Sequence, residues 1–260
     1  MKTVCKEIRK QILHIAKESG HGHIPTCFSI VEILCAVYGT LRHDPRDPLW
    51  KERDLFILSK GHGALAHYCV LARWGYFDPE QVHALGVFRS DFGCHADRFK
   101  IPGIEASTGS LGHGIGLAVG MALALKIDRS ERRVVTLIGD GEANEGSVWE
   151  ALLVAANLGL PNLTVIYDDN RSHSRGLQIL NPAEKLRAFG CEVTEVDGHD
   201  VEVLKAALRY RGKRMHAIVA RTCKGCGCPT FVESPYEWHR RSPNDDEYRL
   251  LLEELDAQAV

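Results

Sequence analysis

The chain has 260 residues, 45% of them hydrophobic and 25% charged, enough apolar material for a sizeable globular core. Its 32 Lys and Arg against 34 Asp and Glu leave a formal net charge of −2, which argues against a protein that grips nucleic acid or an acidic membrane by bulk charge. No stretch approaches the roughly 18 apolar residues of a membrane helix. The charged start, Met1 to Lys10, has no apolar signal core, so the cytoplasm is the expected location.

In chain order, the first half reads as helix and loop. Apolar positions Ile8, Ile12, Leu13, Ile15 and Ala16 recur at helical spacing between Val4 and Lys17. Ser29 is expected to cap a second helix, Ile30 to Leu41, with Glu32 completing a capping box. Gly61 to Trp74 is a third helical run, and Pro79 opens a short fourth. From Arg89 to Gly109 no periodicity survives, and a structureless stretch of that length points to a functional loop. Gly112, Gly116 and Gly120 then fall at helical spacing, a stripe against which another backbone or a flat ligand could pack.

The second half alternates. Val134 to Ile138, Leu163 to Tyr167, Glu192 to Val196 and His216 to Ala220 are short β-rich runs. Helical patterns at Glu145 to Leu158, Pro182 to Phe189 and Val201 to Tyr210 separate them. That alternation predicts an α/β fold, a parallel sheet with helices on both faces, in which ligands bind beyond the carboxyl ends of the strands. Polar residues collect at those ends: Gly139-Asp140-Gly141, Asp168-Asp169-Asn170, Asp197-Gly198-His199 and Arg221-Thr222.

The turn Gly139-Asp140-Gly141-Glu142 carries the first chemical signal. Glycines let the backbone approach a ligand closely, and a following helix start favours phosphate. A carboxylate there repels phosphate unless a hard cation bridges them, which points to Mg²⁺. Asn170, at the end of the next predicted strand, can supply a second oxygen to the same octahedral ion. A dinucleotide site fits less well, because Gly139, Gly141 and Gly146 miss the required spacing.

Thirteen histidines form the second signal. Those in Gly20-His21-Gly22-His23, Gly61-His62-Gly63 and Gly93-Cys94-His95 sit among glycines and have little core to belong to, which suits them to hydrogen bonding and proton exchange with a substrate. His14, His43, His67 and His83 lack that setting and are read as core histidines. The nine cysteines fit reduced thiols. Cys223 to Cys228 places three thiols in six residues; a zinc site would need a fourth ligand such as His239, and a small-residue loop accounts for the stretch with less.

These features together resemble the transketolase family, specifically its amino-terminal half. The resemblance rests on Gly139-Asp140-Gly141 followed by Asn170, on Ser59-Lys60-Gly61-His62-Gly63, on the run Gly103 to Gly112 and on Glu237-Trp238-His239, and it covers residues 5 to 250. It implies thiamine diphosphate and Mg²⁺ as cofactors and ketol transfer between sugars as the reaction. Asp140 and Asn170 would hold the ion with the backbone carbonyl of Ser172. Gly109, Ser110 and Leu111 would line the cofactor together with Gly139, Glu142 and Asn170, and Gly141 would meet the diphosphate. His23, His62, His95 and His239 would surround the reactive carbon and the sugar oxygens, His62 and His239 also touching the cofactor, with His113 and His199 as further neighbours. Glu145 would lie towards a dimer-related site.

The resemblance also implies what lies elsewhere. It makes residues 1–260 one diphosphate-binding domain. The pyrimidine-binding and carboxyl-terminal domains are expected on a partner chain, the two chains forming a heterotetramer. Other two-chain thiamine diphosphate enzymes, such as deoxyxylulose-phosphate synthase, share the glycine–aspartate turn, but Glu237-Trp238-His239 favours transketolase. A non-catalytic relative would be favoured had Asp140 or Asn170 been replaced. Two segments depart from the family pattern. His23-Ile24-Pro25-Thr26-Cys27 replaces a glycine-rich loop, and the cysteine loop keeps Lys224, Gly225 and Gly227 in altered surroundings.

Overall fold

The computed structural model describes residues 1–172 and 176–257. Five parallel strands form one sheet in the order β1-β2-β3-β5-β4. They are β1 (Leu55–Leu58), β2 (Val134–Gly139), β3 (Leu163–Asp169), β4 (Glu192–Asp197) and β5 (His216–Arg221). The last four lie where the sequence predicts them. The first corrects the reading of the amino-terminal half as helix and loop alone. All four of its residues are buried, alternating between the two faces, so no polar alternation marks it.

The helices divide between the faces. Against one face, through Phe56, Leu58, Val135, Leu137, Ile166 and Ile218, pack α1 (Lys2–Ser19), α2 (Ile24–Ser29), α3 (Val31–Tyr38) and α4 (Ala64–Arg73). The same core takes in α8 (Val201–Arg209), α9 (Pro229–Glu233) and α10 (Asp245–Ala257). Against the other face, through Leu55, Ile57, Val134, Ile138, Val165 and Val219, pack α5 (Gly114–Ile127), α6 (Gly146–Leu158) and α7 (Pro182–Ala188).

Three local expectations change. Ser29 is not a cap but the last residue of α2; its hydroxyl donates to Thr26 O and to Asp168 Oδ2, and Ile30 links α2 to α3. Glu32 is taken by a bidentate pair with Arg9 at 2.6 Å, which offsets its burial far better than a capping box would. Gly112 stands outside α5 at φ 78°, where a Cβ would lie 2.2 Å from Ser147 Oγ, so the glycine stripe reduces to the exposed Gly116 and Gly120. Residues 85–113 form neither helix nor strand, as their composition predicts; Tyr68 OH to Gly93 O and Thr108 Oγ1 to Leu58 O tie them down.

Candidate active site

The carboxyl ends of β1, β2, β3 and β5 open onto a cavity of about 600 Å³. Strand β1 delivers Lys60 and His62, with Ser59 buried behind them, and β2 delivers Gly139, Asp140, Gly141 and Glu142. From the end of β3 come Asn170 and Ser172, and from the loop after β5 comes Lys224. His23, His95, Gly109, Leu111 and His239 are also part of the wall. The missed strand β1 is therefore what carries Ser59-Lys60-Gly61-His62 to the site.

Asp140 and Asn170, far apart in sequence, meet at Ser172. The Ser172 hydroxyl donates to Asp140 Oδ1 at 2.5 Å and its backbone N–H donates to Asn170 Oδ1 at 2.9 Å. Gly141 N–H donates to Asp140 Oδ1 at 2.7 Å. A carboxylate and an amide oxygen at one buried spot form a hard oxygen donor set, which suits Mg²⁺ better than a soft or borderline metal.

Behind them lies Asp168, wholly buried, which the sequence reading left without a role. Its carboxylate accepts from Lys60 Nζ, Thr222 Oγ1, Ser29 Oγ and Asn170 Nδ2, so four elements share one anion. Burial alone would raise its pKa, but the Lys60 ammonium and these donors outweigh it and hold the carboxyl below the usual range. Asp168 thereby orients the Asn170 amide so that its oxygen is turned towards Ser172. Only the packed sheet reveals this, because Lys60 and Asp168 look like ordinary strand-end polar residues in the chain.

Glu142 is a brace. Its buried carboxylate accepts from Ser59 Oγ at 2.5 Å, Gly112 N at 2.9 Å and Gly139 N at 3.3 Å, joining the loop before α5 to the ends of β1 and β2. Burial raises its pKa against those donors. Ser110 is exposed and does not contribute to the cavity wall, although its neighbours Gly109 and Leu111 do.

The histidines converge as the sequence suggests. His23 lies 5.4 Å from His62 and 5.2 Å from His239 between ring centroids. His23 N–H donates to His239 O, and a Cβ on Gly22 would fall 2.2 Å from the backbone of Arg240, so glycine permits the two loops to touch. The segment after His23 is not an open loop: Ile24 to Ser29 are buried as α2, and Pro25 O accepts from Gly225 N. Burial, followed by Lys60, His23, His239 and Lys224, lowers His62 to about 2. Burial and then Arg240, His95, Lys224 and His21 lower His23 to about 4. Both imidazoles are neutral at pH 7, each able to donate one hydrogen bond and accept another.

Lys224, His21 and Arg240 also face the cavity; His21 is one of the glycine-flanked histidines and Lys224 is the lysine kept in the cysteine loop, whereas nothing in the sequence marked Arg240. Lys224 Nζ meets His239 Nδ1 at 3.1 Å; burial and the neighbouring Lys60 lower its pKa to about 8. The other predicted neighbours lie elsewhere. His113 is exposed just before α5, and His199 supports Glu32 at 3.0 Å while accepting from Cys223 N. His67 is a core residue, bonded to Tyr38 OH at 2.6 Å, and His43 packs flat on Tyr76. His14 is exposed and His43 and His83 are only half-buried, which corrects their assignment to the core.

This arrangement can be set against known proteins. The family model described as transketolase, thiamine diphosphate binding domain, matches residues 1–256. The chain belongs to the transketolase family. It is 40% identical to an apulose-4-phosphate transketolase subunit of Actinobacillus succinogenes, over 96% of this chain and 94% of that one. It is 38% identical to a 6-deoxy-6-sulfo-D-fructose transketolase subunit of a Clostridium species, over 97% of this chain and 95% of that one. Among solved structures, transketolases of Pichia stipitis and Campylobacter jejuni each superpose with a TM-score of 0.89 at 25% identity. There 98% of this chain covers only 40% and 42% of the respective partner chains. The parallel sheet and the thiamine diphosphate-binding character of the domain are thus family properties.

Proposed function

We propose that this chain is the amino-terminal subunit of a two-chain transketolase that moves a two-carbon ketol unit from a ketose to an aldose. The carrying observation is the meeting of Asp140, Asn170 and Ser172 with His23, His62, His95 and His239 in one cavity at the strand ends. Asp140, Asn170 and the Ser172 carbonyl would hold Mg²⁺, and Gly141 with Lys224 would meet the diphosphate of the cofactor. When bound, thiamine diphosphate supplies the nucleophilic carbon on which ketol transfer depends. The chain's own residues position and move protons. Neutral His62 and His23 can hand an N–H proton to a sugar oxygen or take one back, and His95 and His239 flank the same space. Lys224 Nζ, beside His239 Nδ1, adds positive charge where anionic groups would collect.

A partner chain is part of the reading. The chain nearly spans the relatives named as subunits but under half of the transketolase chains it superposes on. The pyrimidine-binding and carboxyl-terminal domains would then come from a second polypeptide, in a heterotetramer. The relatives' names favour a specialised ketose with an anionic phosphate or sulfonate end as donor. Calorimetric titration of cofactor with Mg²⁺, in the presence of the partner chain, tests the site. Asp140→Ala is expected to abolish Mg²⁺-dependent binding, and Asn170→Ala to weaken it less because a neutral ligand is lost. Unchanged affinity in Asp140→Ala refutes the metal assignment.

A further inference from the structure

Outside the cavity, His14, Glu18 and His83 converge on the surface, with their ligand atoms all within 4.8 Å of one another. His14 and Glu18 stand one turn apart on α1, and His83 comes from the 3-10 turn Pro79–Ala84. His14 Nε2 is 3.2 Å from Glu18 Oε1, and His83 Nδ1 is 2.6 Å from Glu18 Oε2. The two rings meet edge to face at 5.4 Å.

We infer that these three side chains form a binding site for a divalent transition metal, zinc above all. Two imidazoles and one carboxylate are a borderline donor set that suits zinc, whereas Mg²⁺ and Ca²⁺ take oxygen ligands. Tetrahedral zinc with bonds of about 2.0–2.1 Å needs ligand atoms about 3.3 Å apart; the 3.2 Å between His14 Nε2 and Glu18 Oε1 matches, and the 2.6 Å contact of His83 with Glu18 Oε2 would open to admit the ion. A water would fill the fourth position.

Two features distinguish the cluster from an ordinary surface ion pair. Tyr248 on α10 places its hydroxyl 3.0 Å from His14 Nδ1. Where Nδ1–H donates to that oxygen, the Nε2 lone pair is left to bind a cation beside Glu18 Oε1; in the other tautomer Tyr248 O–H donates to Nδ1 and Nε2–H donates to Glu18. An outer hydrogen bond of this kind orients most metal-bound histidines. The ligands also sit on fixed supports. Val82, beside His83, is wholly buried, and Asp78 caps that turn by accepting from Glu80 N at 3.0 Å. The metal would therefore join α1 to the 3-10 turn, with α10 behind them. Because α1 passes through Gly20 directly into His21 and His23, the clamp would steady the segment that feeds the cavity. The site does not depend on the proposed sugar chemistry.

The test uses the full chain, stripped with chelator and saturated with Mg²⁺, titrated with Co²⁺ under visible and near-ultraviolet absorption. The expected result is one Co²⁺ per chain with weak visible bands and no sulfur-to-cobalt charge-transfer band, displaced by Zn²⁺. His14→Ala and His83→Ala should each remove it with unchanged far-ultraviolet circular dichroism, while Cys226→Ser leaves it intact. Tyr248→Phe should weaken it roughly 10- to 100-fold, the size of an outer-shell loss. Three results would overturn the inference: no uptake at micromolar Co²⁺, uptake unaffected by His14→Ala and His83→Ala, or a charge-transfer band that disappears in Cys226→Ser.

Discussion

The two faces of the sheet are finished differently. On the side of α1 to α4, helices cover helices: every residue of α3 is buried, and every residue of α4 except Arg73. On the side of α5 and α6, one layer of helix lies on the sheet, and its outer surface keeps exposed apolar residues. Gly116, Leu117, Gly120 and Ile127 make an exposed stripe along α5, and Leu153, Val154 and Leu158 make another along α6. Gly116 and Gly120 have open space where a Cβ would be. The first face shows what this chain stabilises alone. The second has the apolar character of a surface awaiting a partner, which accords with the two-chain proposal.

Substitutions break this comparison in order of effect. On the covered face, Phe28 is wholly buried against Phe231 at 5.4 Å, and Phe28→Ala is expected to cost about 3–5 kcal/mol in denaturant unfolding. A cost below about 1 kcal/mol would mean that this face is loosely packed.

A buried histidine on the same face should also make the fold sensitive to acid. Burial lowers His67 to about 3. Below about pH 6.5 the unfolded chain protonates His67 and the folded chain does not, so unfolding takes up a proton and stability falls between about pH 6.5 and 3. The slope from this one group is at most about 1.4 kcal/mol per pH unit, and His67→Gln should flatten the profile by up to that amount. Identical pH profiles for the two proteins would show that His67 is protonated in the fold.

The open face should behave in the opposite sense. Gly120→Ala in the isolated chain should stabilise by about 0.5–1 kcal/mol, since a helix-interior glycine gains a good helix former in empty space. The same variant should weaken association with the partner chain if backbone packs there, which sedimentation of the mixed chains would register. Smallest of all, Leu153→Arg should leave the isolated chain within about 0.5 kcal/mol. Its effect belongs to assembly, and an undiminished complex in light scattering would place the partner on another surface.

Much of the site was legible because its chemistry is local. The glycine–aspartate turn, Asn170 and the glycine-flanked histidines each carry their meaning within a few residues, and Asp140, Asn170, His23, His62, His95 and His239 do share one cavity. Glu142 and Ser110 show what position in a motif leaves out. The first lines the cavity but also braces Ser59, Gly112 and Gly139, and the second is exposed outside the cavity wall. Short-range pattern reads an element's type, but not what it will touch.

Periodicity in the sequence alone determined the four later strands, the helices between them and hence the parallel order that puts ligands at the carboxyl ends. It did so because hydrophobic spacing repeats within one element. The tertiary structure decided the rest: that buried Leu55–Leu58 joins the sheet, that Lys60 neutralises Asp168, that Glu32 answers Arg9 and His199, and that one face stays open. Each of these depends on residues distant in sequence. A charge or an apolar side chain acquires its partner only when the chain has folded around it.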